Sequence, residues 1–146
     1  MDLYNFIQKF HSGWAYLALL LLIIVIVNSI IGMTSKKEFT ATDRKIGLFG
    51  LIAAHTQLLI GLILYFVSPN GLNMIKTVGM GGLTTESRLL ALEHPALNIL
   101  AIILITVGWS KHKKQESSEA KFKAFSIFYG SGLLLILIRM PWHLWF

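Results

Sequence analysis

Four histidines and one arginine stand where ionisable groups are rare. His11, His55, His94, His143 and Arg139 lie within or at the edges of long apolar runs, and an ionisable side chain in such a run marks function by default. Two imidazoles that face each other at one depth in a helical bundle are what bis-histidine haem ligation needs. Bundle cores build cofactor sites from side chains on facing helices, and the axial ligands set much of a haem's potential. His55 and His94 are the favoured metal ligands. His55 lies about 10–13 residues up its run and His94 about 15–16 residues up its own, so at about 1.5 Å per residue their depths differ by about 3–9 Å, which tilt absorbs. The second choice pairs His94 with His11. Arg139 is the expected cofactor-binding cation, a partner for haem propionates, with Arg88 and His11 near the same surface.

Each of these residues also has a plainer reading. His11 and His143 suit interfacial polar positions beside Trp14 and Trp142, the expected aromatic anchors. A lone histidine in the bilayer can be satisfied by Gln57, Asn98 or a carbonyl, and Asn28 and Thr106 read as helix–helix hydrogen bonds. His112 lies in a basic loop and reads as solvated. Gly47, Gly50, Ala54 and Gly61, with Gly130, Ser131 and Gly132, serve either close helix packing or the flat faces of a porphyrin.

The elements that position these groups follow from composition. Of 146 residues, 55% are hydrophobic and 14% charged, against about 25% charged in an ordinary soluble domain. So small a core cannot hide that much apolar surface, and lipid is the expected surrounding. The chain reads as one transmembrane domain over residues 1–146, all-α, an integral membrane four-helix bundle. Its spans are at about 10–33, 46–67, 89–110 and 124–142, each near the 20 or so residues a crossing needs. Thr42-Asp43 reads as a cap for the second span and Thr84-Thr85-Glu86 as a helix start. Ser68-Pro69-Asn70-Gly71 is a stop, and Pro95 marks a helix start or kink. The opening MDLYNFIQKFHSGW has no basic stretch before its apolar run, and that run is too long for a signal peptide, so it reads as a span. The long connection from Ser68 to Glu93 is expected to let the third span sit diagonally opposite the second.

Net charge is +6, but its placement speaks for orientation and against nucleic-acid binding. Lys36, Lys37, Arg44 and Lys45 fall between the first two spans, and Lys111, Lys113, Lys114, Lys121 and Lys123 between the last two; only Lys9, Lys76, Arg88 and Arg139 lie elsewhere. The excess of Lys and Arg on cytoplasmic loops then predicts both termini on the non-cytoplasmic side. The chain contains no cysteine, which excludes disulfides, thiolate metal sites and covalently attached haem. No hydrolase or transferase motif, P-loop or dinucleotide fingerprint is present, so any enzymatic part is at most a redox one.

Four stretches, HSGWAYLALL, AHTQLLIGLILYFVSP, EHPALNILAIILITVG and RMPW, resemble small bacterial membrane proteins labelled "cytochrome b", over nearly the whole chain. The histidine arrangement is also distantly similar to half of a haem A synthase bundle. The arginine that usually follows the histidine there is absent after His11, His55 and His94, which puts any enzymatic carry-over in doubt. The resemblance implies a non-covalent b-type haem, electron transfer in a bacterial inner membrane, and a quinol or membrane redox subunit as partner, with quinone as a further cofactor. The alternative is a cofactor-free structural or accessory subunit of a membrane complex. A small transporter is a third reading, weakened because every Asp and Glu sits in a loop or at a span edge.

Overall fold

A computed structural model describes residues 2–145. Seven α-helices follow one another: α1 (Leu3–Thr34), α2 (Ala41–Val67), α3 (Leu72–Val78), α4 (Thr85–Arg88), α5 (His94–Lys114), α6 (Ser118–Ile138) and α7 (Trp142–Trp145). A π-helical turn, Leu89–Glu93, joins α4 to α5, and no strand occurs among the described residues. Four helical segments are long and apolar enough to cross a membrane: Leu3–Thr34, Ala41–Val78, Thr85–Lys114 and Ser118–Ile138. Leu20, Ile23, Val27 and Ile31 of α1, Ile52, Leu59 and Phe66 of α2, and Ile103 of α5 are exposed on the outside of the bundle. Water would strongly disfavour so broad an apolar surface, and lipid suits it.

The caps follow the local chemistry of the chain. Asp2 caps α1, accepting from the Asn5 N–H at 2.8 Å. For α2 the cap is Thr40, two residues earlier than the expected Thr42-Asp43. Thr40 and Asp43 form a reciprocal capping box in which the Thr40 N–H donates to Asp43 Oδ2 at 2.8 Å. The same carboxylate, only 3% exposed, accepts from Lys37 Nζ at 2.5 Å and from Asn28 Nδ2 at 3.0 Å. Asp43 thereby ties α1, the first basic loop and α2 together. Thr84 caps α4, where a helix start was expected.

The long helices pack in the cyclic order α1–α2–α5–α6, with α6 returning to α1. The third span therefore lies beside the second, not diagonally opposite it. The connection through α3 and α4 turns back at the same edge of the bundle, and its length does not carry the chain across. The diagonals are α1–α5 and α2–α6, so the residues facing each other across the core come from those pairs.

At the end that carries the basic loops, aromatic rings seated on glycines close the core. Phe122 lies on Gly32, Phe125 on Gly47 and Phe128 on Gly108; a methyl added at Gly32 or Gly47 would overlap the ring, and one at Gly108 would overlap the Phe128 Cβ. Tyr129 donates to the Gly47 carbonyl at 2.8 Å, across the α2–α6 diagonal. Most of the small residues of α2 thus serve helix packing, as small residues do in membranes. His112 belongs to this cluster. It is buried between Phe39, Trp109 and Phe125, with Nδ1 against the Trp109 carbonyl, and is not the solvated residue expected from its basic neighbours.

Candidate functional site

The opposite end of the bundle is built differently. Here the α1–α5 diagonal encloses a cavity of about 240 Å³, bounded chiefly by α1, α2 and α5, with Ile136 and Met140 from the α6 side and Leu144 and Trp145 from α7. Its walls are mainly apolar, including Leu19, Leu58, Leu62 and Ile102, and its polar groups include His11, Ser12, Gln57, Tyr65, His94 and Asn98.

His11 and His94 meet across this diagonal, with ring centres 6.4 Å apart and planes at 80°. Proline chemistry positions the second of them. Pro95 has no N–H to give to Ala91, four residues back, and a proline at that place leaves the carbonyl unpaired. The Ala91 carbonyl is taken by the Tyr65 hydroxyl at 2.9 Å. The wide π turn lies directly before Pro95 and sets His94 at its end; such turns are frequent at functional sites. His94 Nδ1 lies 3.0 Å from the backbone carbonyl of Arg139, just past the end of α6. A carbonyl can only accept, so Nδ1 carries the proton and Nε2 keeps its lone pair. Asn98 Nδ2 is 3.1 Å from the same Nδ1 and donates to the His94 carbonyl at 2.6 Å.

His11 is held by packing and by its backbone. A Cβ at Gly61 would stand 3.0 Å from His11 Cε1, so this glycine is the notch in which the ring sits. Gln57 reaches from α2 and donates to the His11 carbonyl at 2.8 Å. Two polar atoms beside the cavity, His11 Nδ1 and Gln57 Oε1, are buried without a hydrogen-bond partner. Buried polar atoms of that kind are uncommon in a finished core and call for a physical account, a bound water or further group among them; Ser29 Oγ, which does not line the cavity, is another.

His55 is elsewhere. It lies on the exposed outer stripe of α2, with Nδ1 2.9 Å from the Leu51 carbonyl and Nε2 3.2 Å from Thr106 Oγ1 of α5. Both ring nitrogens are occupied within the chain, and His55 does not line the cavity. The favoured pairing of His55 with His94 is therefore not the pair the fold brings together. His11 and His94, the second choice, are. Arg139 is half exposed and paired through Nε with Glu93 at 3.5 Å. His143, in α7, pairs with Glu86 at 3.0 Å and stays outside the cavity. Trp14, expected as an interfacial anchor, donates through Nε1 to the Ala53 carbonyl at 3.0 Å in the α1–α2 seam. Among the described residues no group of three or more His, Cys, Asp or Glu side chains could hold a metal ion; the site offers two nitrogen ligands.

The inward face of α2 was readable from its small residues. Gly47, Gly50, Ala54 and Gly61 recur at helical spacing and mark one stripe. Gln57 and Tyr65 fall near that stripe, whereas His55, one residue past Ala54, is turned away by about 100°. No protein family profile, curated protein or solved structure matches the chain.

Proposed function

We propose that the chain is a membrane-embedded b-type haem protein of the electron-transfer class, with His11 and His94 as its two axial ligands. The observation that carries this is the pairing of the two rings across the α1–α5 diagonal, 6.4 Å between centres, beside a mainly apolar cavity. Two imidazoles on one metal with bonds of about 2.0 Å have ring centres roughly 6 Å apart. The residues present fit that group. His94 has the carbonyl-bound Nδ1 that ligand histidines usually show, and His11 has a buried Nδ1 with no partner inside the chain.

A haem bound there would supply reversible one-electron transfer, and the chain's residues do the rest. Gly61 seats the His11 ring and the Arg139 carbonyl holds the His94 ring, while Gln57 and Asn98 hold the backbone carbonyls of the same two residues. Leu19, Leu58, Leu62 and Ile102 exclude water, which raises the influence of the ligands and nearby charges on the potential. A membrane quinol or a neighbouring redox subunit suits a site enclosed by lipid-facing helices as the source or acceptor of electrons. The test is the visible spectrum of the protein purified from haem-replete cells. A Soret band with sharp α and β bands on reduction is the expected result. A colourless preparation that also fails to take up added haem would remove the reading and leave a cofactor-free accessory subunit.

The charge distribution supports a bacterial inner-membrane location with both basic loops in the cytoplasm and both termini outside. Cysteine introduced at Asn70 is then expected to react with an impermeant thiol reagent in intact cells, and cysteine at Ser117 only after permeabilisation. The reverse pattern would invert the orientation.

A further inference from the structure

Beside His94, outside the residues that line the cavity, lies a charge arrangement that the histidine pair does not explain. Arg88, at the end of α4, and Arg139, just past α6, both turn Nε toward one carboxylate, that of Glu93. The separations are 3.4 Å to Oε2 and 3.5 Å to Oε1. Glu93 is the residue before His94, and the Arg139 carbonyl is the partner of His94 Nδ1, so the cluster and the ring are joined through both chain segments. Two guanidinium groups around one carboxylate leave a net positive charge next to His94.

The contacts are loose. A charge-assisted N–H···O bond is normally about 2.7–2.9 Å, and the strong arginine–carboxylate geometry is a two-pronged fork. Neither is present here. Arg88 and Arg139 are 48% and 47% exposed and Glu93 33%, and ion pairs this open contribute little to stability. Among the described residues no other carboxylate lies within ion-pair distance of either arginine. Apart from a 3.4 Å contact of Arg139 Nη1 with the Ile138 carbonyl, no hydrogen bond engages their Nη groups, and planar guanidinium donors match a carboxylate in two-pronged fashion.

We propose that Arg88, Glu93 and Arg139 form a carboxylate gate. The two arginines bind the acid groups of the cavity's occupant, and Glu93 competes for them until that occupant enters. The inference rests on the haem reading, which makes the ligand class a porphyrin bearing two carboxylates. It adds a residue, Glu93, whose presence weakens ligand binding.

The test compares haemin with haemin dimethyl ester, whose acid groups are blocked, by Soret titration into the full chain purified without haem in detergent. Glu93→Gln is expected to tighten haemin binding about fivefold, the effect of relieving one partly screened pairing, and to leave the diester unchanged. The double variant Arg88→Gln/Arg139→Gln, which keeps Glu93, is expected to weaken haemin and spare the diester. Haemin affinity that is unchanged or weaker in Glu93→Gln would overturn the gate, and so would a diester that follows haemin through the series. If all variants bind both porphyrins alike with a spectrum that depends on His11 and His94, the gate falls and the haem reading stands. If the wild type takes up neither porphyrin, both fall.

Discussion

The two halves of the bundle use the same residue types to opposite ends. In the half that carries the basic loops, glycines are filled: Phe122, Phe125 and Phe128 occupy the notches at Gly32, Gly47 and Gly108, and Tyr129 locks α6 to α2 through the Gly47 carbonyl. In the half that carries the termini, the small residues Ala15, Ala54 and Gly61 border a cavity beside which His11 Nδ1 and Gln57 Oε1 are buried without a partner; Ser29 Oγ is such an atom in the filled half. Fully packed interiors stabilise, and incompletely satisfied ones are retained where something binds. The aromatic cluster lies in the first half and the cavity in the second.

That contrast can be broken by substitution. The largest effect is expected from Phe125→Ala, which removes a ring 1% exposed at the centre of the aromatic cluster. A loss of about 3–5 kcal/mol is expected in denaturant unfolding followed in micelles. A loss below about 1 kcal/mol would mean that the half is not packed as described. Tyr65→Phe comes next. It strips the Ala91 carbonyl of its donor, and a buried acceptor left unpaired costs about 1–3 kcal/mol. Because the π turn then lacks its tie to α2, haem retention is expected to fall with stability. The smallest stability effect is expected from Ala15→Leu, which grows a side chain into the cavity. Unfolding should shift by less than about 1 kcal/mol in either direction, yet porphyrin uptake should fail. Full uptake in that variant would show that the cavity is not where the porphyrin sits.

The four long apolar helices and the stop at Ser68 follow from residue order, because length and turn chemistry act locally, whereas the cap of α2 lies at Thr40, two residues before the expected Thr42-Asp43. Which face of each helix points inward does not follow from residue order. Continuous apolar runs have almost no polar side to betray their orientation, so depth alone favoured His55. The stripe of small residues on α2 held the missing signal, since Ala54 and Gly61 lie inward and His55 between them does not. The order of helices around the bundle was misjudged for a related reason. The length of the Ser68–Glu93 connection limits how far the chain can travel, and packing decides how far it does. His112 looked solvated because it sits in a basic loop beside Lys111, Lys113 and Lys114. Aromatic neighbours that come from three separate segments, at Phe39, Trp109 and Phe125, bury it.

The pairing of His11 with His94 is tested most directly by the reduced spectra of three alanine variants purified alongside the wild type. His11→Ala and His94→Ala are each expected to lose the low-spin α and β bands, because one iron cannot keep two imidazoles when either is removed. His55→Ala is expected to keep them, since that ring is held by Leu51 and Thr106 on the outer face. A wild-type spectrum in His11→Ala together with a lost one in His55→Ala would contradict the pairing.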